Sequence, residues 1–343
     1  MFALATVTLA SCGAVLALVI VDVYLHSRYE RTAAVNVWGY RGPTIGRKQP
    51  RERRVAYLGG SSAFGYGVLW NEAVPAQLEH ALNARPGLPH ISVVNLAFNN
   101  EGAYGFKPTL DDYRYLAYDV VCLYEGYNDL LGDEHPNRLV SRRDSPVFRL
   151  TGYFPIFPMV FREKAAAIRY GGNIDAMYRA GPGGEVKTVF RPGVAGWAIA
   201  GTLDAAVTVS RSLEGQLARL ADVRPQDRVD DAAQRCAFPW SGYCRSIFEA
   251  VDDALAYGAR ALVITQPYLT GKSGERHRDQ QRALSAALLR QYAGDARVRY
   301  VDLGAAIDLA DRSLAYDGMH LTPDGNRVVA ARLADPVAAA IRQ

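Results

Sequence analysis

Residues 54–67 read R-V-A-Y-L-G-G-S-S-A-F-G-Y-G, and this stretch is the strongest indication of the fold. Val55–Leu58 is a short apolar run with β character, and Gly59 and Gly60 end it sharply. That combination predicts a buried strand followed by a tight turn. Ser61 comes directly after the turn, at the carboxyl end of the strand, where open α/β sheets place their ligands.

Three motifs compete for this turn. Gly60 and Gly65 have the spacing of a phosphate-binding loop, but Tyr66 stands where that motif needs its lysine. The nucleophile elbow G-x-S-x-G is missed by one residue, because Ala63 follows Ser62. Taken alone, the stretch also fits a solvated Gly/Ser turn without any chemistry. Its meaning therefore depends on the rest of the chain.

Composition sets the outer limits of the prediction. The chain has 343 residues with 49% hydrophobic content, enough to bury a sizeable core in one or two domains. The net charge of +4 is mild, and no basic block interleaved with aromatic residues indicates nucleic acid as a partner. The six histidines include no H-E-x-x-H and the four cysteines no C-x-x-C. We therefore predict neither a metal site nor a cofactor.

The N-terminus carries a membrane signal. Residues 1–21 contain no charged side chain. A helix of this length can cross the roughly 30 Å hydrocarbon core of a bilayer. We predict an uncleaved transmembrane anchor over residues 1–25 and a Gly-, Pro- and Arg-rich linker over residues 26–53. Two alternatives stay open: Leu9-Ala10-Ser11-Cys12 resembles a bacterial lipobox, and the apolar segment could be a cleaved signal peptide.

Two features give opposite orientations of the body across that membrane. Arg28, Arg31 and Arg41 follow the apolar helix, and the positive-inside tendency would leave the body in the cytoplasm. Cys236 and Cys244 are close enough for a local disulfide, which would imply an oxidising compartment, although they could equally stay unpaired. We predict a single-pass protein of a bacterial inner membrane with its catalytic domain on the extracytoplasmic side.

From residue 54 onward, short apolar runs alternate with helical spacing, as is typical of βαβ units. The predicted strands are Val55–Leu58, Ile91–Phe98, Val120–Tyr124, Ala261–Thr265 and Val298–Leu303. The predicted helices are Ala73–Asn83, Pro108–Leu116, Ser246–Ala256, Asp279–Tyr292 and a terminal helix from about Asp324. We expect an α/β fold with a mainly parallel sheet.

The alternation stops between about residues 131 and 240. A stretch of this length is more than a connecting loop. We predict an insertion that interrupts a domain spanning residues 54–343, with helical character over Ala195–Leu220. Its aromatic run Phe148–Phe161 could belong to a lid, a substrate subdomain or a patch on the bilayer, or could pack a small core of its own.

The turns after the strands and before the last helix carry residue types that acyl transfer needs. Ser61 is a candidate nucleophile that requires a base, His320 can be that base, and Asp317 can fix the tautomer of the imidazole. The backbone N–H groups of Ser61 and Gly102 and the side-chain amide of Asn128 could stabilise an oxyanion. Because parallel strands converge at their carboxyl ends, we expect these residues to share one crevice.

These residues resemble the blocks of the SGNH (GDSL-like) hydrolases. The resemblance rests on Gly59-Gly60-Ser61-Ser62, on the segment from Asn95 to Gly102, on Gly126-Tyr127-Asn128-Asp129 and on Asp317-Gly318-Met319-His320. It implies a three-layer α/β/α sandwich, metal-free ester hydrolysis, and the roles just given to Ser61, Gly102, Asn128, Asp317 and His320. The sequence departs from the usual G-D-S because Gly60 replaces the acidic residue, and Asn100 competes with Gly102 for its position.

We therefore expect a membrane-anchored serine hydrolase that cleaves an acyl or acetyl ester on a glycan or lipid. An acyltransferase that acts on an envelope polysaccharide would use the same residues, because water and a sugar hydroxyl compete for one acyl-enzyme. A non-catalytic binding module, with the insertion as its partner surface, is the alternative from another class.

Overall fold

The structure is a computed structural model that describes residues 2–32, 34–161 and 236–342. The chain divides into two compact units. The larger unit comprises residues 29–144 and 227–343, and the smaller one comprises residues 1–28 and 145–226. The predicted helix at 195–220 and most of the predicted insertion lie outside the described residues.

A parallel sheet of five strands forms the centre of the larger unit, with the order β2-β1-β3-β4-β5. The strands are β1 (Arg53–Gly59), β2 (Ile91–Asn95), β3 (Val120–Tyr124), β4 (Arg260–Ile264) and β5 (Val298–Val301). Every pairing is parallel, and the register between the two central strands sets Gly59 opposite Tyr124. The strand order reverses between β1 and β3, and crevices at such reversals hold the ligands of doubly wound folds.

Helices cover both faces of the sheet. The helices of the larger unit are α2 (Ser61–Phe64), α3 (Val74–Asn83), α4 (Phe106–Asp112), α6 (Ser241–Ala256), α7 (Gly271–Gln291) and α8 (Pro323–Arg342). The smaller unit contains α1 (Phe2–Tyr29), apart from its last residue, and α5 (Pro146–Thr151). Short 3-10 turns cover Trp70–Glu72, Ala103–Gly105, Arg114–Leu116, Tyr127–Asp129 and Gly132–Glu134.

The layers follow from the handedness of the crossovers. The connection from β1 to β2 runs one way along the sheet and the connection from β2 to β3 runs the other way. Because parallel crossovers are right-handed, α3 and α4 lie on opposite faces. Helix α8 packs on α3, and α6 packs on α4. The predicted three-layer α/β/α sandwich with a parallel sheet is confirmed.

The two central strands are buried on both sides, which explains their composition. Val120–Tyr124 and residues 54–59 of β1 are buried, and both strands are apolar for most of their length without polar alternation. Strands covered on both faces read in this way, whereas a half-exposed strand would alternate. The apolar runs that predicted these strands therefore reflect helices on both faces.

Several element boundaries differ from the sequence prediction. Helix α6 begins at Ser241 and not at the predicted Ser246, and α4 covers Phe106–Asp112 and not Pro108–Leu116. Strand β2 ends at Asn95 and not at Phe98, although the N–H groups of Leu96 and Phe98 still donate to the β1 carbonyl oxygens of Tyr57 (2.8 Å) and Gly59 (3.0 Å). Helix α7 begins at Gly271, eight residues before the predicted start at Asp279. Its first two turns are mostly polar and lack the apolar spacing that reveals a helix in sequence.

The smaller unit contains the apolar helix α1. Residues Thr8–Tyr29 are long and apolar enough to cross a membrane, a property that a signal sequence shares. Near its end, the buried Asp22 accepts hydrogen bonds from the backbone N–H groups of Ile156 (2.8 Å) and Phe157 (2.6 Å) and from the Tyr153 hydroxyl. His26 Nε2 lies 3.0 Å from the carbonyl oxygen of Phe154. The aromatic segment is thus fixed to the helix by hydrogen bonds.

Candidate active site

Three side chains from distant parts of the chain meet at the carboxyl edge of the sheet. Ser61 Oγ lies 2.8 Å from His320 Nε2, and His320 Nδ1 lies 2.6 Å from Asp317 Oδ2. Ser61 opens α2 directly after β1, and the other two residues precede α8. A hydroxyl next to an imidazole that is held by a carboxylate can be deprotonated for attack on a carbonyl carbon.

The turn at residues 317–320 holds its histidine through local hydrogen bonds. Asp317 Oδ1 accepts the backbone N–H groups of Met319 (2.9 Å) and His320 (2.7 Å), while Oδ2 faces the ring. The following helix starts as its sequence predicts, because the Thr322 hydroxyl accepts the N–H of Gly325 at 3.2 Å and Pro323 is its first residue. The same short segment therefore orients the imidazole and begins α8.

Asp317 stays ionised in this arrangement. Partial burial opposes its charge, but the hydrogen bonds from His320 outweigh that cost and hold the pKa of Asp317 below its ordinary value. An ionised carboxylate can only accept at Nδ1, so Nδ1 carries the ring proton and Nε2 presents a lone pair to Ser61. This is the tautomer that a general base requires.

Only one of the two adjacent serines faces the imidazole. Ser62 is 4% exposed, and among the described residues its hydroxyl has no hydrogen-bond partner. Ser61 is more exposed and bonds to His320. The sequence alone places both serines on the turn, and the structure separates them.

Asn128 lies against the same turn. Its Nδ2 donates to the carbonyl oxygen of Glu101 at 2.9 Å, and a Cβ added to Gly60 would lie 2.0 Å from this nitrogen. The register of β1 and β3 explains the proximity, because Gly59 and Tyr124 are paired and both turns begin just beyond them. A glycine is required at position 60 because the amide occupies the space of a side chain.

Gly102 is placed by the carboxylate of Asp129. A Cβ at Gly102 would lie 2.6 Å from Asp129 Oδ1, and Oδ2 accepts the N–H of Ala103 at 2.9 Å. Burial raises the pKa of Asp129. Asn100, the competing residue, is exposed and has a left-handed backbone with φ 63°. The segment that contains both residues lies beside the Ser61 turn, because the carbonyl oxygen of Glu101 accepts a hydrogen bond from Asn128 Nδ2, which adjoins Gly60.

Sequence reasoning missed Glu125. This residue is 1% exposed, and its Oε1 accepts the N–H groups of Gly126 (2.9 Å) and Asn128 (3.1 Å). Burial, with the neighbouring Asp129, raises the pKa of Glu125. A glutamate in a Gly- and Asn-containing turn reads as solvated in sequence. The available signal was the departure at position 60, where the acidic residue of the usual G-D-S is absent.

Aromatic residues flank the imidazole on two sides. The Tyr66 ring lies 4.9 Å from the His320 ring between centroids, and the Tyr316 ring is stacked at 5.9 Å. Tyr66 is 41% exposed, whereas Phe64 and Tyr127 are buried. Of the aromatic residues near the predicted site, Tyr66 and Tyr316 thus adjoin the His320 ring and the other two belong to the core.

No group of three or more metal-ligating side chains occurs within the described ranges. The chemistry considered below uses only the hydroxyl, imidazole, carboxylate and amide groups described above.

Comparison with known proteins gives a match to the GDSL-like lipase/acylhydrolase family over residues 57–328. No curated protein matches the chain. Similar solved structures include an acetylxylan esterase from Geobacillus stearothermophilus, at 12% identity and a TM-score of 0.42, which covers 83% of this chain and 94% of its own. A lipolytic protein of the G-D-S-L family from Veillonella parvula has 10% identity and a TM-score of 0.42, covering 82% and 97%.

A Clostridium thermocellum family 3 carbohydrate esterase has 12% identity and a TM-score of 0.41, covering 85% of this chain and 98% of its own. The family match extends over most of the chain. It begins at residue 57, inside β1, and includes Ser61, Asn128, Asp317 and His320. The chain belongs to the GDSL-like lipase/acylhydrolase family. It is a hydrolase that acts on ester bonds, and the alternative of a non-catalytic binding module falls away.

Proposed function

We propose that Ser61 is the nucleophile, His320 the general base and Asp317 the residue that orients the base. The 2.8 Å contact between Ser61 Oγ and His320 Nε2 carries this assignment. His320 takes the hydroxyl proton as Oγ attacks the ester carbonyl, and it returns that proton to the leaving alcohol. Water then attacks the acyl-serine with the same base, which releases the acid and regenerates Ser61.

The developing oxyanion would be bound by the N–H groups of Ser61 and Gly102 and by the Asn128 amide. The position of Asn128 Nδ2 against Gly60 supports its part in this set, because Gly60 adjoins the nucleophile. One N–H of the amide is engaged by Glu101, and the amide carries a second one that can reach a substrate oxygen. Donors fixed before the reaction stabilise the charge without reorganisation.

For the substrate we propose an acyl or acetyl group carried by a glycan or lipid. The exposed ring of Tyr66 beside His320 supports a sugar or an apolar chain as the neighbouring part of the substrate, since aromatic faces accept both. Transfer of the acyl group to a polysaccharide hydroxyl is the second candidate, because the exposed surface at Tyr66 could also bind the polysaccharide that accepts the acyl group. Products formed with and without an added glycan acceptor separate hydrolysis from transfer.

The assignment is tested with a fluorophosphonate probe and a short-chain aryl ester. The probe should label wild-type protein and the Ser62→Ala variant, but not Ser61→Ala, and ester turnover should follow the same division. Ser62→Ala is a matched control, because it removes a hydroxyl one position away that has no hydrogen-bond partner within the described part of the chain. Turnover by Ser61→Ala at the wild-type rate would end the assignment.

We further propose that α1 remains attached as a membrane anchor. Removal of the helix would leave the N–H groups of Ile156 and Phe157 without the Asp22 carboxylate that they donate to. Its apolar side chains, including Val15, Leu16 and Ile20 at 61% exposure each, suit a lipid environment. Mass spectrometry of the protein purified from membranes should find residues 1–25 present. A mature N-terminus beyond residue 25 would identify a cleaved signal, and an acylated Cys12 a lipoprotein.

For the catalytic domain we propose an extracytoplasmic location. The Cys236–Cys244 disulfide, with Cα atoms 6.0 Å apart, supports an oxidising compartment. The arginines after α1 oppose it under the positive-inside tendency. Both native cysteines of the pair are buried, so the test uses the exposed position 282. A membrane-impermeant thiol reagent applied to intact cells should label Arg282→Cys and not wild type if the location is correct. Labelling only after lysis would place the domain in the cytoplasm.

A further inference from the structure

Position 60 is where this chain departs from the usual sequence of the family. The G-D-S form has an acidic residue there, and this chain has glycine. A Cβ at Gly60 would lie 2.9 Å from Glu125 Oε2 as well as 2.0 Å from Asn128 Nδ2. A carboxyl group on residue 60 and the one on Glu125 would therefore require the same space. The observed position of the Glu125 carboxyl group therefore requires glycine at residue 60.

Glu125 reaches this space from the end of β3 and holds the loop that carries Asn128. Its Oε1 accepts two backbone N–H groups, from Gly126 and from Asn128 itself. The second bond fixes the backbone of Asn128, and the bond from its Nδ2 to the Glu101 carbonyl oxygen fixes the side chain. Asn128 is thus held through its backbone N–H by Glu125 and through its side-chain amide by Glu101.

Other buried side chains hold the rest of the loop but do not contact Asn128. Gln280 Nε2 donates to the carbonyl oxygen of Gly126 at 3.2 Å, and Gln266 Oε1 accepts the N–H of Tyr127 at 2.9 Å. Gln280 belongs to α7, and Gln266 follows the end of β4. Within the described residues, Glu125 is the one ionisable side chain recorded as bonded to the Asn128 backbone.

We propose that Glu125 is a positioning residue that supplies, from β3, the carboxyl group that the G-D-S form carries next to its serine, and that it sets the Asn128 amide for the oxyanion. This inference rests on the proposed function, because it acts through Asn128. It predicts that hydrogen-bond acceptance at position 125, and not the volume of the side chain, controls the rate.

The decisive comparison is Glu125→Gln against Glu125→Met. Both fill the volume, but only glutamine keeps an oxygen for the N–H groups of Gly126 and Asn128. Glu125→Met should lower kcat about tenfold to a hundredfold with KM changed by less than about threefold, a fraction of the effect of losing an oxyanion donor. Glu125→Gln should stay within about fivefold of wild type. Equal kcat values for the two variants would overturn the proposal.

A double-variant cycle tests the route through Asn128. In the Asn128→Ala background the oxyanion amide is already absent, so Glu125→Met should reduce kcat by less than about twofold. Full additivity of the two effects would contradict the proposal. If Glu125→Met does not fold, Glu125→Asp replaces it, because the shorter side chain keeps a carboxyl group but withdraws it from both N–H groups. Its kcat should fall below that of Glu125→Gln, and the reverse order would overturn the inference.

Hydrogen exchange gives a readout that needs no catalysis. In the full-length protein in detergent, Glu125→Met should accelerate exchange of the Gly126 and Asn128 amides at least about tenfold, while Val121–Leu123 in β3 stay protected. Unchanged exchange at 126 and 128 would overturn the positioning role even if Ser61 is labelled by fluorophosphonate. Accelerated exchange together with an unlabelled Ser61 would refute the proposed function and leave the role of Glu125 in the fold.

Discussion

The carboxylate of Asp317 divides its two oxygens between the backbone and the ring of His320. Oδ1 accepts the N–H groups of Met319 and His320, and Oδ2 lies 2.6 Å from Nδ1 of the imidazole. One side chain therefore shapes the turn and selects the ring tautomer. A substitution that preserves the first role while removing the second separates the two.

Asp317→Asn is that substitution. The amide oxygen can still accept the backbone N–H groups, but the NH₂ group faces Nδ1, which must then become an acceptor. The ring proton moves to Nε2, where it prevents uptake of the Ser61 proton. We expect kcat to fall about a hundredfold or more with little change in the unfolding temperature. Steady-state kinetics on an aryl ester measure the loss.

Asp311→Asn is the matched control, because Asp311 accepts local hydrogen bonds from Ser313 in a turn outside the site. Its kcat should equal that of wild type. A kcat for Asp317→Asn within about threefold of wild type would show that His320 is oriented by other groups.

Gly60→Ala should inactivate the enzyme without unfolding it. The added methyl group would lie 2.0 Å from Asn128 Nδ2 and 3.0 Å from the carbonyl oxygen of Glu101, so the amide must move. Loss of one oxyanion donor costs about 10²–10³ in kcat. Gly46→Ala is the control, because its Cβ meets nothing within 4 Å. Retention of full activity by Gly60→Ala would remove Asn128 from the oxyanion site.

His277 should make the stability of the protein pH-dependent. It is fully buried against Tyr127 and Tyr268, and neither ring nitrogen has a hydrogen-bond partner within the described ranges. Burial lowers the pKa of His277 to about 4. Since the unfolded value is about 6.5, the unfolded state binds the proton first, and stability falls as the pH drops through this range.

His277→Leu should remove this dependence. Between pH 7 and pH 5 the wild-type protein should lose about 2 kcal/mol more stability than the variant. Thermal or urea unfolding at the two pH values measures the difference, which does not depend on the stability of the variant at pH 7. Parallel pH profiles for both proteins would show that another group relieves the buried imidazole.

The disulfide should contribute to the stability of the larger unit. Cys236 and Cys244 close a short loop, with a sequence separation of 8 between the two cysteines, and such a cross-link stabilises by about 2–3 kcal/mol in the loop-entropy account. Cys244→Ser should lower the unfolding temperature by about 5–10 °C, and a reductant should have the same effect on wild type but none on the variant. Cys12→Ser, which removes an unpaired exposed cysteine, is the control.

The sequence revealed the parts of this fold that depend on local pattern. Val120–Tyr124 was predicted with its observed ends, because a strand buried on both faces is a continuous apolar run between polar turns. The start of α7 was missed, since its first turns are polar, and the packing of His277 from these turns against Tyr127 and Tyr268 leaves no local pattern. Such packing is tertiary information that no window of sequence contains.

The candidate site divides in the same way. Ser61, Asn128, Asp317 and His320 could be predicted to converge, because parallel strands bring their carboxyl ends together. The position of the Glu125 side chain could not be predicted, since it depends on the absence of a side chain at Gly60. A side chain that fills a gap left by another residue is visible only when both are seen in three dimensions.

The pairing of β3 with β4 has a consequence for how this enzyme can change. Val120 is in register with Arg260, so the ladder closes across the long excursion that leaves the sheet after β3. Ser61, Asn128 and His320 all lie in the larger unit, outside residues 145–226. Substitutions in that intervening segment therefore leave the sequence of the strands and turns that hold these three side chains unchanged.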